Sequence, residues 1–204
     1  RDFLRKGEQL ASTGPGGAFF EALCLRVVPL VEQRLGVANL PAVRRAILGC
    51  SLSSLLALRT LFLSPGLFGS IVLGSPSLPL APEVFELEKK TRATYAAKAL
   101  ACGTAVLFVS GDLEGDIRKP STIPGAATKM AEELKQRRID MDFQLVARED
   151  HGSLKPALAS RALHFLQQRL AKREELPQLH AAVTSGVEVE ATAAPFGLCR
   201  TVHL

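Results

Sequence analysis

Residues 42–62 read AVRRAILGCSLSSLLALRTLF, and this stretch decides how the chain is organised. Its first part is a short apolar run typical of a strand, and its last part is an apolar segment long enough for a helix. Between them, GCSLS (49–53) is close to the pattern Gly-x-Ser-x-Gly, which places a serine on a sharp strand-to-helix turn. Ser53 stands where that pattern ends in glycine. Ser51 is therefore either a nucleophile or one of several serines in an ordinary turn.

Three further strands are predicted from short apolar runs that contain β-branched residues. They are GSIVLGSPS (69–77), TAVLFVSGD (104–112) and MDFQLVARED (141–150). Helical patterns lie before, between and after the four strands, as in the amphipathic ATKMAEELKQRR (127–138). This alternation predicts an α/β fold with one parallel sheet of about four strands and helices on both faces. In such sheets the chemistry is expected at the C-terminal ends of the strands.

The two ends of the chain give less regular patterns. A helix is predicted over residues 18–36, with Phe19, Leu30 and Val31 among the residues on its apolar side, and Pro29 is expected to kink it or end it early. After about residue 173 the helical period is lost. The sequence therefore predicts a folded domain over residues 1–172 and an irregular tail over 173–204.

Composition narrows the classes of function. The 204 residues include no Trp and one Tyr, and the net charge of +5 is spread among acidic residues, so no nucleic-acid surface is predicted. No apolar run is long enough to span a bilayer, so no membrane partner is expected. The sequence has no metal-ligand spacing, GxGxxG motif or phosphate loop, which predicts no metal and no cofactor. Cysteines at 24, 50, 102 and 199 form no CxxC pair, which favours a reducing compartment such as the cytoplasm.

Polar residues directly follow three of the predicted strands. Ser51 follows the first, the segment GDLEGD with Asp112, Glu114 and Asp116 follows the third, and His151 follows the fourth. A serine hydroxyl is a weak nucleophile until an imidazole takes its proton, and a carboxylate fixes the tautomer of that imidazole. The order Ser, acid, His is the one found in α/β-hydrolases. Each residue alone is also typical of a turn, a helix cap or a solvated loop.

Several motifs together resemble the siderophore-esterase branch of the α/β-hydrolases, which includes the ferric-enterobactin esterases. RRAILGCSLSSLLAL resembles the arginine-led strand and Gly-x-Ser-x-Gly-Gly-Leu turn of that branch, and LFGSIVLGSPSL resembles its strand with a Ser-Pro-Ser turn. VLFVSGDLEGD resembles its Gly-Glu-Leu-Glu segment, and FQLVAREDHGSLKPALASRAL resembles its Glu-x-His-x-Ser segment and final helix. The resemblance covers about residues 1–170. It implies a serine carboxylic-ester hydrolase that acts on a small-molecule ester.

The resemblance also implies a role for individual residues. Ser51 matches the nucleophile and His151 matches the general base. Glu114 lies three residues after Gly111, where related esterases place the acid, so it is preferred over the alternative Asp112. Some members of the branch manage with Ser and His alone. The backbone N–H of Leu52 matches one donor of the oxyanion hole, because it follows the nucleophile.

Three departures from the family pattern lead to further expectations. Ser53 and Ser54 replace two glycines, which is expected to strain and loosen the turn. Pro79-Leu80 replaces an aromatic pair, which weakens the inference of an aromatic siderophore substrate. The N-terminal strands of the family, with the second oxyanion donor, have no counterpart here, so the chain is expected to be a processed or truncated product. We expect either a feeble esterase or a catalytically impaired remnant that binds a ligand or partner, with self-association through an exposed sheet edge.

Overall fold

The computed structural model describes the backbone of residues 16–37 and 40–185 and the side chains of residues 17–37 and 40–171. The predicted polar segment before residue 16 and the part of the predicted tail after residue 185 lie outside the described residues. A first compact unit ends at Gln168, and a second unit begins at Arg169. The division of the chain into domains stays a prediction.

Four parallel strands form one sheet, which confirms the predicted α/β fold. The strands are β1 (Ala46–Cys50), β2 (Ser70–Gly74), β3 (Ala105–Gly111) and β4 (Asp140–Val146), and they lie in the order β1-β2-β3-β4. In register, Cys50 lies beside Gly74 and Gly74 beside Val109, so the strands end at one edge of the sheet. This edge is where the polar residues predicted from the sequence come together.

Six α-helices connect and cover the strands. They are α1 (Gly16–Ala22), α2 (Val28–Arg34), α3 (Leu52–Leu63), α4 (Glu83–Ala101), α5 (Ile123–Gln136) and α6 (Leu154–Ser185) among the described residues. Short 3₁₀ turns lie at Ala42–Arg44, Leu78–Leu80 and Asp112–Glu114. The last two turns follow β2 and β3 closely, so they carry the chain across the C-terminal edge of the sheet.

The strands bury side chains on both faces, as the continuous apolar runs predicted. Ile71 and Phe108 contribute to a core that includes residues of α3, α4 and α5. Val72 and Leu107 contribute to a smaller core on the other face, where α6 supplies Leu158. All residues of β2 and β3 are buried, because these central strands have a neighbour on each side and helices on both faces.

Pro29 neither ends nor sharply divides the first helix, contrary to one reading of the sequence. A π-helical turn, Leu23–Val27, joins α1 to α2, and the N–H of Val28 bonds to the carbonyl of Leu23. A wider turn accommodates the proline, which lacks an N–H and crowds the carbonyl one turn earlier. Phe20 and Cys24, which lie four residues apart, are buried, whereas Phe19, Leu30 and other apolar residues of these helices are exposed.

An ion pair joins α2 to the start of the sheet. The guanidinium of Arg45 donates to both carboxylate oxygens of Glu32, with 3.0 Å between Nη2 and Oε2, and both side chains are about nine-tenths buried. A bidentate pair of this kind fixes geometry as well as charge. It places the beginning of β1, and hence the turn that follows it, against the first helices.

The predicted irregular tail is wrong in its first part. Helix α6 continues to Ser185, about twelve residues past the expected boundary at 173. Leu, Ala, Gln and Glu make up seven of residues 173–185 and favour a helix by their propensity, whereas Pro177 opposes it.

Strand β1 forms an edge of the sheet. Among the described residues its only strand partner is β2. The side chain of Leu48, in the middle of β1, is 49% exposed. The expectation of an apolar edge strand is therefore met within the described part of the chain, while its partner stays a prediction.

Candidate active site

Ser51 lies on the sharp turn between β1 and α3. Its backbone has φ 59° and ψ −123°, a conformation that costs a non-glycine residue energy and is found most often at functional sites. The N–H of Ser51 donates to the carbonyl of Gly74 at 2.8 Å, which ties the turn to the end of β2. The side chain is thereby held at the C-terminal edge of the sheet.

The turn is tied together by the two serines that were expected to loosen it. The hydroxyl of Ser54 is fully buried and lies 2.9 Å from the carbonyl oxygen of Gly49 and 2.8 Å from that of Gly74. The hydroxyl of Ser53 donates to the carbonyl of Cys50 and accepts from its N–H. Gly49 is required, since a Cβ there would lie 2.4 Å from the carbonyl oxygen of Ser53. These contacts hold α3 against the ends of β1 and β2.

Glu114 lies on the 3₁₀ turn after β3, and its side chain is only 2% exposed. One carboxylate oxygen, Oε2, accepts from the N–H of Gly111 at 2.8 Å and from the hydroxyl of Ser75 at 2.7 Å. The other, Oε1, lies 2.6 Å from Nδ1 of His151. Because both oxygens of the Glu114 carboxylate have hydrogen-bond partners, the carboxylate is held in one orientation.

The alternative acid is directed elsewhere. Asp112 accepts from the backbone N–H of Arg148 at 2.7 Å, and Asp116 pairs with Arg118 on the surface. Both carboxylates therefore stabilise loops beside the site. This difference in geometry also favours Glu114 over Asp112, and the role of Glu114 stays a prediction.

His151 lies on the loop between β4 and α6. Its imidazole lies between the side chains of Glu114 and Ser51. Its Nε2 is 2.9 Å from Oγ of Ser51, while its side chain is 45% exposed. Asp150 fixes the loop, because its Oδ1 accepts from the N–H groups of Ser153 and Gly152. These backbone hydrogen bonds hold the pKa of Asp150 below its usual value.

Two buried serines also belong to this constellation, and no role was predicted for them. Ser75 bonds to Glu114 as described, and Oγ of Ser77 lies 3.2 Å from Oγ of Ser51. Both follow the end of β2, so the rule that selected Ser51, Glu114 and His151 also selects them. They were missed because serines beside a proline are typical of turns.

Leu52 and Cys50 flank the serine in sequence. Leu52 is the first residue of α3, where backbone N–H groups have no acceptor within the helix and are available to an anion. Burial raises the pKa of the Cys50 thiol, so little thiolate forms at neutral pH.

A cleft lies beside the imidazole of His151. It has a volume of about 560 Å³ and is lined by Leu113, Glu114, Ile123, Asp150, His151 and Gly152. The walls are partly apolar and include no Lys or Arg side chain. The cleft is large enough for part of a small organic molecule.

The described residues also bear on metal binding, membrane insertion and the state of the cysteines. The described residues contain no group of three His, Cys, Asp or Glu side chains that could hold a metal ion. Within the same part of the chain, no helix is long and apolar enough to cross a membrane. Cys24, Cys50 and Cys102 are free thiols, and Cys199 lies outside the described residues.

The parallel sheet, with helices on both faces and a serine on the turn after its first strand, has the α/β-hydrolase-like arrangement that the sequence resemblance implied, with four strands among the described residues. Solved structures share this fold. The chain matches the BES protein from Bacillus cereus with a TM-score of 0.60 and 22% identity, over 80% of this chain and 59% of that protein. It matches siderophore hydrolase EstB from Aspergillus nidulans with a TM-score of 0.55 and 23% identity, over 72% and 56% of the two chains.

A third structure, the enterobactin and salmochelin hydrolase IroE, gives a TM-score of 0.54 and 23% identity, over 75% of this chain and 57% of that protein. The chain therefore spans a little under three-fifths of the length of these proteins. No family model matches the chain, and no curated protein matches it in sequence.

Proposed function

We propose that the protein is a serine carboxylic-ester hydrolase in which Ser51, His151 and Glu114 form a catalytic triad on a nucleophile elbow. The observation that carries the proposal is the continuous chain of contacts from Glu114 to His151, at 2.6 Å, and from His151 to Ser51, at 2.9 Å. Both distances are within hydrogen-bond range for a triad. The reaction needs no cofactor, because the three side chains supply the nucleophile, the base and its orientation.

The reaction proceeds in two halves. Oγ of Ser51 attacks the ester carbonyl while Nε2 of His151 takes the hydroxyl proton, and the developing imidazolium is stabilised by Glu114. The backbone N–H of Leu52 donates to the oxyanion. His151 then gives its proton to the leaving alcohol, and a water molecule activated by the same imidazole hydrolyses the acyl-enzyme. We expect slow turnover, because one missing oxyanion donor typically lowers kcat by about 10²–10³ and only one is assigned among the described residues.

The substrate is proposed to be a small-molecule ester. EstB is named as a siderophore hydrolase and IroE as an enterobactin and salmochelin hydrolase, which supports a small-molecule substrate of that general kind. The cleft beside His151 offers the apolar side chains of Leu113 and Ile123 to the substrate. Leu80 stands at one of the positions of the family's aromatic pair and is 77% exposed, so an aromatic siderophore is not favoured. The proposed location is the cytoplasm, as the unpaired cysteines suggested.

A second candidate is a catalytically impaired relative that acts as a binding or interaction module. The exposed apolar side chain of Leu48 on edge strand β1 favours it, because such edges pair with other chains. Self-association through β1 is therefore proposed alongside the enzymatic function. Neither candidate involves nucleic acid or a membrane.

Hydrolysis of p-nitrophenyl acetate distinguishes the two candidates. We expect measurable turnover by the parent chain and loss of that turnover in Ser51→Ala. The matched control is Ser121→Ala, which changes an exposed serine that does not line the cleft. Parental turnover in Ser51→Ala would refute the hydrolase proposal, and a parent with no turnover would favour the interaction module.

A further inference from the structure

The turn Ser75-Pro76-Ser77 follows β2, and the reaction described above assigns it no role. Ser75 is fully buried and Ser77 is 4% exposed. Ser75 has φ 40°, a left-handed conformation that is uncommon for a residue with a Cβ. Buried hydroxyls at a strained turn require partners, and both serines find them in the proposed triad.

The direction of each hydrogen bond follows from counting protons, starting at the acid. A carboxylate only accepts, so Gly111 N–H, the Ser75 hydroxyl and Nδ1–H of His151 all donate to Glu114. With its proton on Nδ1, neutral His151 has an acceptor at Nε2. The single proton of Ser51 must then point at Nε2.

The last proton in this sequence belongs to Ser77. Because the proton of Ser51 is committed to His151, the contact of 3.2 Å between the two serine oxygens requires Ser77 to be the donor. The N–H of Ser77 also donates to the carbonyl of Ser51, at 3.3 Å, which keeps the two residues in register. The Ser77 hydroxyl therefore points at the atom that attacks the substrate.

We propose that the Ser75-Pro76-Ser77 turn is part of the catalytic machinery, with Ser77 donating a hydrogen bond to the nucleophilic oxygen of Ser51 and Ser75 positioning the acid Glu114. This inference rests on the proposed ester hydrolysis. Ser77 acts on the reacting atom itself, whereas Ser75 acts only through Glu114.

The hydrogen bond from Ser77 would stabilise Oγ of Ser51 at the two steps in which that oxygen carries negative charge. These are the attack, when the proton is leaving for His151, and the breakdown of the deacylation intermediate, when Oγ is the leaving group. A donor placed in advance stabilises that charge. At 3.2 Å the contact is longer than a usual hydrogen bond between hydroxyls, and it is expected to shorten as charge develops.

The test for Ser77 compares Ser77→Ala and Ser77→Cys with the parent and with Ser70→Ala. Cysteine keeps the shape of the side chain, with a somewhat larger terminal atom, and replaces the O–H by a weak donor. Ser70 is a matched control, because it is equally buried but lies at the other end of β2. We expect both Ser77 variants to lower kcat for p-nitrophenyl acetate at least about tenfold, toward the range for one lost donor, with KM changed less than about twofold.

A second readout does not depend on ester turnover. The second-order rate of Ser51 phosphonylation by a fluorophosphonate should fall at least about tenfold in both Ser77 variants, because the same oxygen attacks the probe. The Ser70→Ala rate should stay within about twofold of the parent, as for a change that leaves the site intact. Ser77→Cys rates equal to the parent in a folded protein would overturn the role of Ser77.

The role of Ser75 is tested with a double-mutant cycle. Ser75→Ala should lower kcat in the parent and have no further effect in Glu114→Gln, since it acts through that carboxylate. Additive losses would overturn the positioning role and indicate a purely structural one. If Ser51→Ala keeps the parental rate, the proposed function fails. If only Ser51→Ala loses activity while the variants at 75 and 77 do not, the hydrolase stands and this inference fails.

Discussion

Replacing Glu114 by glutamine changes one atom in the buried carboxylate and should strongly lower kcat. The amide has a single acceptor oxygen, whereas the carboxylate accepts from Gly111 and Ser75 on one side and from His151 on the other. If the amide oxygen faces Gly111 and Ser75, its NH₂ group faces Nδ1 of His151. The imidazole must then carry its proton on Nε2 and can no longer take the proton of Ser51.

The opposite orientation of the amide is unfavourable in this site. It would turn the NH₂ group toward the N–H of Gly111, leaving a buried donor without a partner at a cost of about 1–3 kcal/mol. At about 1.4 kcal/mol per factor of ten, the productive tautomer would be outnumbered roughly 5- to 150-fold. Loss of the carboxylate's charge also destabilises the imidazolium that forms during the reaction. The combined effect in a full triad lowers kcat by up to about 10⁴-fold. We therefore expect kcat to fall by about 10²–10⁴.

The assay is kcat on p-nitrophenyl acetate at neutral pH, with thermal unfolding measured to show that the variant is folded. Asp112→Asn is the matched control, since an asparagine oxygen can still accept from the N–H of Arg148. The control should stay within about twofold of the parent. A fall of less than about tenfold in Glu114→Gln would refute the acid's role and indicate a dyad of Ser51 and His151.

Three further outcomes are expected. Ser54→Ala removes the buried hydroxyl that bonds to the carbonyls of Gly49 and Gly74, so the free energy of unfolding should fall by about 1–3 kcal/mol, measured by urea titration; an unchanged midpoint would show that the hydroxyl does not hold the turn. Asp150→Ala should lower the thermal midpoint at neutral pH, and because the folded pKa of Asp150 is depressed, the difference from the parent should shrink as pH falls below 3.8 through that folded pKa; a difference that stays constant would refute the assignment. Leu48→Lys should shift any oligomer toward monomer in sedimentation velocity, because a lysine on an edge strand opposes pairing; an unchanged distribution would exclude β1 as the contact.

The central strands were predictable because both of their faces are buried. Residues of β2 and β3 are buried without exception, and a buried parallel strand has a continuous apolar run in sequence. The first helix was less predictable. Its apolar side was expected to include Phe19, Leu30 and Val31, but all three are exposed, while Phe20 and Cys24 are buried.

The three main residues of the candidate site could be predicted from the sequence, but the hydrogen bonds that support them could not. Ser51, Glu114 and His151 could be proposed because each follows a strand, and parallel strands end at one edge. The hydrogen bonds of Ser53 and Ser54 could not be foreseen, since they depend on where the carbonyls of the turn point. The sequence pattern therefore suggested looseness where the hydroxyls supply contacts.

The proposed role of Ser51 is best tested by mapping the residue that an alkyl fluorophosphonate modifies in the 204-residue chain. We expect a single phosphonylated residue, Ser51, with no labelling of Ser51→Ala or His151→Ala and parental labelling of Ser121→Ala. Peptide mass spectrometry identifies the position and intact mass gives the stoichiometry. Labelling at Ser53 or Ser54 with Ser51 unmodified, or labelling of Ser51→Ala at the parental rate, would contradict that role.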